Sequence, residues 1–348
     1  MPSDPGVRNN QTSLKALCLW NDTTLPVTRF LGFNTRRKRS SASASASGSC
    51  CSFTDRERVY PWYTGISIHP KHKLVMLRSV LRPTAVVTRH FTAMVARSAK
   101  DAAAAGSNTS ELREFESVSE LPQQDPDATV EVEVAYSDLN YKDGLIVLGR
   151  SGVVKSFPIV PGIDFAGTVV RSRSPHFQEG DAVALTGNKA GQYFDGGYAQ
   201  RAACQAEHLV KLPPGLSTLQ AMVLGTAGMT ATMCVRHLET AGEVTPRLGP
   251  VLVTGASGGL GQIAVALLAA RGFEVVASTG RAEEHGAGLR ALGASEVVGR
   301  LEASEKALQS QRWAGVVDTV GGTTLAAAIT QTAYRGAVAS TGNAGGPD

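Results

Sequence analysis

The 348 residues include no uninterrupted run of 18 apolar side chains, so no transmembrane span is expected. Cysteine is scarce. There are five, an odd number, and only Cys204 and Cys234 fall where the chain reads as folded, so a disulfide framework is not expected and a reducing compartment fits. Acidic residues are missing between Arg58 and Lys100. Basic excess is missing from the rest: residues 1–100 hold 16 Lys and Arg against 4 Asp and Glu (+12), while residues 101–348 hold 18 against 26 (−8). The overall +4 therefore belongs to the N-terminus, and the C-terminal region makes no case for nucleic-acid binding.

Residues 1–90 carry the basic cluster RRKR at 36–39 and the low-complexity stretch SSASASASGSCCS, neither with an apolar period that builds a core. From Met76, MLRSVLRPTAVVTRHF spaces Arg78, Arg82 and Arg89 among Leu and Val. Arg-rich, Ser-containing, acid-poor and partly amphipathic sequence reads as a mitochondrial or plastid transit peptide. A disordered extension, or upstream translation with Met76 as the true start and a cytoplasmic protein, are the alternatives. The sequons at Asn10, Asn21 and Asn108 follow no secretory apolar segment and read as chance matches.

With 43% hydrophobic residues, the chain can bury one large or two medium cores, so two domains are expected. From residue 91 to 216 the pattern is strand-like: TVEVEVAYS (129–137), GTVVRS (167–172) and AVALTG (182–187) are punctuated by Gly and Pro. From 217 the period turns helical in LQAMVLGTAGMTATMCVRHLETAG, whose Met222, Met229 and Met233 read as helix core. Then VLVTG (251–255), EVVAS (274–278), SEVVG (295–299), GVVDTV (315–320) and GAVAST (336–341) alternate with helix-length segments. That alternation predicts an α/β fold, with a β-rich domain over 91–216 and a doubly wound parallel Rossmann sheet over 217–348.

VLVTGASGGLGQIAVALL supplies a strand, a glycine-rich turn and a helix in the order a dinucleotide site needs. Gly255 leads into Ala256, Ser257, Gly258, Gly259, Leu260 and Gly261, which keep the fingerprint spacing with Ala at its first position. Without a Cβ the turn can approach a pyrophosphate whose charge meets the helix N-terminus, and Gly261 lets helix and strand pack closely. An NAD site wants Asp or Glu at the end of the second strand. This chain has Ser278, Thr279, Gly280 and Arg281, hydroxyls and a guanidinium that suit a 2′-phosphate, so NADPH is expected. A solvated Arg281 at a helix start is the competing reading.

With NYKD, PGIDFAGTV, EGDAV, GGYAQ, GTAGMTA, TGASGGLGQIA and DTVGG in that order, the sequence resembles the medium-chain dehydrogenase/reductase superfamily over roughly 91–348. SDLNYKDGL, FPIVPGIDFAGTV and RWAGVVDTVGG make it most similar to the quinone-oxidoreductase-type branch and its NADPH-dependent acryloyl-CoA reductases. The resemblance implies a GroES-like catalytic domain before the Rossmann domain, an acyl-CoA thioester substrate, and a homodimer at full length. Zinc-dependent members have Cys and Gly-His-Glu where this chain has Asn140-Tyr141 and Ile163-Asp164, so no metal site is expected. The resemblance places Tyr141 at the nicotinamide end, as a proton donor or as an aromatic shelf, and makes Thr226 and Thr230 candidates for the nicotinamide amide or ribose. Asn140, Asp143 and Asp164 read as loop-fixing groups, and Lys142 as solvated.

Members of the superfamily continue with a further strand and helix and a return to the catalytic domain, whereas this sequence stops at TGNAGGPD. On the order of 80 residues are absent by the resemblance, so a C-terminally truncated chain with a bare sheet edge is expected. Quinone or other enone reduction, and cofactor binding without turnover, are the rival functions.

Overall fold

The computed structural model describes residues 15–18, 90–150, 152–302 and 309–345. The transit-peptide reading of the N-terminal segment falls outside these residues, except that Lys15–Cys18 forms strand β1.

The β-rich half opens with β2 (Phe91–Ala96), α1 (Ala99–Ala105) and β3 (Ser110–Phe115), and β2 pairs antiparallel with β3. Next come β4 (Val130–Tyr136), α2 (Tyr141–Val147), β5 (Asp164–Ser172), β6 (Ala182–Thr186), β7 (Arg201–Cys204) and β8 (Val210–Lys211). These five strands form one antiparallel sheet in the order β7-β4-β5-β6-β8. The alternation of VEVEV sets its face: Val130, Val132 and Val134 are buried with Phe165, Val183 and Leu185, while Glu133 is exposed.

The long helix α3 (Thr218–Thr240) leads into β9 (Val251–Val253), α4 (Gly259–Ala270), β10 (Val275–Ser278), α5 (Ala282–Ala291), β11 (Glu296–Val298), β12 (Trp313–Asp318), α6 (Gly322–Thr330) and β13 (Thr332–Ser340). The sheet order is β1-β13-β12-β9-β10-β11, all parallel. Its strands are apolar on both faces. Val251, Val253, Val275 and Ala277 pack with Ala264 and Leu268 of α4, while Leu252, Val276 and Val316 pack with Ala328 of α6 on the other side. The result is the doubly wound arrangement expected. The edge of β13 is not bare: β1 pairs with it in parallel from Lys15↔Ala337 to Cys18↔Ser340.

Helix α3 joins the two sheets. Ala221 and Met222 pack against Ala166 and Ala184 of the antiparallel sheet, and Ala231, Cys234, Val235 and Leu238 pack into the parallel one. Its length and composition alone would let it cross a membrane, but this buried face makes it a core helix. Of its methionines only Met222 is buried; Met229 and Met233 lie on the exposed face, which corrects their reading as core. Gly225, at φ 48°, kinks the helix, so a second helical piece starts at Thr226.

Candidate active site

DLNYKDG is not a turn. Asn140 caps α2, and Tyr141, its first residue, is 71% exposed. Asp143 points the opposite way and is fully buried. Its Oδ2 accepts from the Asn140 N–H (2.9 Å), and its Oδ1 accepts from the N–H groups of Gly162 (3.2 Å) and Ile163 (3.0 Å). One carboxylate therefore ties the start of α2 to the PGID turn, so that the Tyr141 ring is presented from a fixed frame. Burial raises the Asp143 pKa, and the three backbone donors oppose the rise.

Asp164, also fully buried, holds the second piece of α3. Its Oδ1 accepts from the Gly187 N–H (2.9 Å) and the Thr226 hydroxyl (2.6 Å); its Oδ2 accepts from the Thr226 N–H (2.6 Å) and from Asn140 Nδ2 (3.2 Å). Both Thr226 donors are thus committed to Asp164, which leaves the hydroxyl oxygen's lone pairs for a ligand. The Asn140 amide also donates to Asp138 Oδ1 (2.7 Å). Asp138 Oδ2 lies where a side chain at Gly225 would stand, so the kink needs glycine for both its φ and its space. Burial first, and then the neighbouring charge of Asp164, push the Asp138 carboxyl up to about 9, so it holds a proton at neutral pH. Tyr198 closes the cluster by donating its hydroxyl to the Asp138 carbonyl (3.1 Å). Lys142 stays outside it, exposed and near Gln192 Oε1 (3.2 Å).

The second half of the site is a cleft of about 300 Å³ at the carboxyl ends of β9, β10 and β12, lined by Ser257, Gly258, Thr279, Gly280, Arg281 and Arg300 among others. Gly255 turns the chain at φ 57°, with Thr319 Oγ1 filling the space a side chain would need. Ala256 is fully buried, and its N–H is bonded to the Ser278 carbonyl (3.0 Å). Gly258 caps α4 without a side-chain bond, so the first-turn N–H groups at Gly259 and Leu260 are open to an anion. A Cβ on Gly261 would stand 2.6 Å from the Ala256 Cα, so only glycine permits this close approach of helix and strand. These residues fit a dinucleotide pyrophosphate.

At the far end of the cleft, the Ser278 hydroxyl donates to the Gly299 carbonyl (2.9 Å), and the Thr279 and Ser257 hydroxyls bond to each other (2.8 Å). Arg281 caps α5, with its guanidinium 3.8 Å from Glu284. Asp318, fully buried, accepts from Thr254 Oγ1 (2.6 Å) and the Gly321 N–H (2.9 Å) and so fixes the end of β12. Thr230 is half-buried on α3, one turn beyond Thr226. Among the described residues, no group of three His, Cys, Asp or Glu side chains could hold a metal ion.

Residues 126–214 match the family described as the alcohol dehydrogenase GroES-like domain, and residues 259–348 match that described as zinc-binding dehydrogenase. The chain is 50% identical over 224 residues to the acrylyl-CoA reductase AcuI of Ruegeria pomeroyi, covering 64% of this chain and 67% of that protein. The chain belongs to the medium-chain dehydrogenase/reductase superfamily. Within it, the chain is 47% identical to the putative quinone oxidoreductase YhfP of Bacillus subtilis, over 64% of this chain and 67% of that one. The YhfP structure with NAD bound superposes with a TM-score of 0.66 at 43% identity, over 74% of this chain and 76% of that one. The Salmonella enterica YhdH oxidoreductase in complex with NADP gives 0.66 at 42%, over 73% and 75%. These neighbours place this dehydrogenase/reductase in the quinone-oxidoreductase-type branch.

The match described as zinc-binding starts at residue 259, beyond both the Asn140 and Asp164 loops, so it carries no information about ligands there. Asp138 and Arg300 were missed by sequence reasoning. Asp138 stands in the quoted motif but gives no sign that it is half-buried against Gly225, and Arg300, after β11, lies about forty residues from the glycine fingerprint whose cleft it lines.

Proposed function

We propose that this superfamily member reduces the activated C=C of acryloyl-CoA to propionyl-CoA with NADPH. Bound NADPH supplies the hydride, which goes to the β-carbon, and a proton then goes to the α-carbon. The cleft supports NADPH: it joins a glycine-built pyrophosphate cradle to two guanidinium groups, with no carboxylate at the end of β10. The acceptor rests on the half-identity with an acrylyl-CoA reductase across two thirds of the chain.

The chain's own part is to position, to exclude water and to move a proton. Asp143 and Asp164 anchor the Tyr141 helix and the Thr226 helix against one another through Asn140. Tyr141, exposed at the start of α2, is the group we assign to donate the proton or to bond the thioester oxygen as negative charge develops on it. Thr226 and Thr230 border the nicotinamide end. A homodimer completes the proposal for the assembled protein.

Tyr141→Phe should fold normally, because the ring is exposed, and should lose about 10²-fold or more in turnover if the phenol delivers the proton. Near-normal turnover leaves Tyr141 as a shelf and moves the proton to solvent. A second reading, reduction of a quinone or another enone, is favoured by the similarity to YhfP. NADPH oxidation measured with acryloyl-CoA and with a quinone separates the two, and cofactor binding without turnover on either would point to a non-catalytic protein.

A further inference from the structure

Residues 101–348 carry a net −8, yet their lysines are not dispersed among the acids. Of those described, Lys211 is ion-paired with Asp181 (2.7 Å), whereas Lys142, Lys155 and Lys189 converge on one residue, Gln192. Lys142 donates from Nζ to Gln192 Oε1 (3.2 Å), and the Lys155 N–H donates to the Gln192 carbonyl (2.8 Å). The Lys189 carbonyl accepts from the N–H groups of Gln192 (3.1 Å) and Tyr193 (2.8 Å). Gln192 is itself fixed, its Nε2 donating to the Val153 carbonyl (3.0 Å). All three lysines are exposed, and among the described residues none has an ion-pair partner. Tyr193 is 46% exposed, with Lys189 Nζ 5.8 Å from the centre of its ring. Asn188 and Lys189 hold φ values of 44° and 69°, a left-handed pair that residues other than glycine disfavour.

The patch borders the candidate site at both ends. Lys142 follows Tyr141 on α2, and Lys189 lies two residues after Gly187, whose N–H bonds to the Asp164 carboxylate that holds Thr226. An acyl-CoA carries its thioester at one end of a pantetheine arm, and an adenine with a 3′-phosphate and a diphosphate at the other. The glycine cradle is committed to the cofactor's pyrophosphate, so the nucleotide end of a thioester held at Tyr141 needs cations of its own. We propose that Lys142, Lys155, Lys189 and Tyr193 form a subsite for that nucleotide, the lysines as point charges on its phosphates and Tyr193 as the ring under its adenine. This rests on the acyl-CoA reading above and names the part of the substrate that the rim of the site recognises.

The test is calorimetric titration of coenzyme A, which has the nucleotide but no reducible C=C, into the full chain and its variants. The variants are the double Lys142→Ala, Lys189→Ala, then Lys155→Ala, Tyr193→Ala and Tyr193→Phe, with NADPH titrated in parallel and thermal melting as the check on folding. The unaltered protein should bind coenzyme A and hold pantetheine, which lacks the nucleotide, far more weakly. The double lysine variant should lose about tenfold or more in affinity for coenzyme A, and Lys155→Ala about threefold, as for charge-assisted contacts at an exposed site. Tyr193→Ala should lose about tenfold, the scale of base stacking, and Tyr193→Phe should stay within about twofold. In turnover, the preference in kcat/KM for acryloyl-CoA over acryloyl-pantetheine should narrow by the same factors. Folded lysine variants that bind coenzyme A normally, or an unaltered protein that binds coenzyme A and pantetheine alike, overturn the inference while reduction of acryloyl-pantetheine keeps the acyl-CoA reading. Lysine variants that lose NADPH affinity instead assign the patch to the cofactor and also overturn it. Reduction of neither thioester by the unaltered protein overturns the acyl-CoA reading and the inference with it.

Discussion

Asp143 shows how one buried side chain sets the geometry of this site. Three backbone N–H groups, of Asn140, Gly162 and Ile163, have its carboxylate as acceptor. Asp143→Ala leaves them without it, and at about 1–3 kcal/mol for each buried unsatisfied group the variant should lose several kcal/mol in urea unfolding. Asp143→Asn keeps an oxygen for Gly162 and Ile163 but turns an NH₂ toward the Asn140 N–H, so it should lose less. Asp138 makes the opposite prediction. Its folded pKa, about 9, lies above the ordinary 3.8, so between these values the folded chain holds a proton that the unfolded chain has released. Stability from this group is therefore complete below about pH 4 and declines as pH rises toward 9, by at most about 1.4 kcal/mol per unit. Asp195 and Asp143, also raised by burial, add slope of the same sign at the lower end. Asp138→Asn keeps the shape of the protonated acid without the titration. It should unfold later than the unaltered protein at pH 8, with the gap closing toward pH 4; a gap independent of pH would contradict the assignment.

The cofactor turn and the kinked α3 behave differently as elements. Gly261 lies where α4 meets the end of β9, and a methyl group there has no room, so Gly261→Ala should push the helix outward. The expected result is a lower melting temperature together with at least about tenfold weaker NADPH binding, since the anion site is the helix N-terminus itself. Normal binding in a folded variant would contradict this. This element was legible in the sequence because its chemistry is local: strand, glycines and helix follow one another within eighteen residues. The strands of both sheets were legible for the same reason, as alternation or as short apolar runs. The helix at Tyr141 was hidden because NYKDG is rich in turn formers, and its seven residues are held by Asp143 bonding to a turn some twenty positions away. The exposed Met229 and Met233 were misread because an apolar residue on a helix does not declare which face it occupies. Arg300 was hidden because nothing near it in the sequence shows that the chain after β11 returns to the cleft.

At the scale of the whole molecule, α3 brings the two chemistries together. Its first turns lie on the antiparallel sheet that carries Asp138, Asp143 and Asp164, and its later turns lie on the parallel sheet that carries the glycine cradle. Asp164, bonded to Asn140 at the start of α2 and to Thr226 at the kink, ties α2 to the helix that packs on the parallel sheet. We propose that this assembly adds hydride to an enoyl thioester. The most direct measurement follows NADPH oxidation by the purified full chain with acryloyl-CoA and with a quinone, and identifies the product by mass. Propionyl-CoA should form one for one with NADPH consumed, at a kcat/KM well above that for the quinone. Quinone-dependent oxidation of NADPH without propionyl-CoA would contradict it.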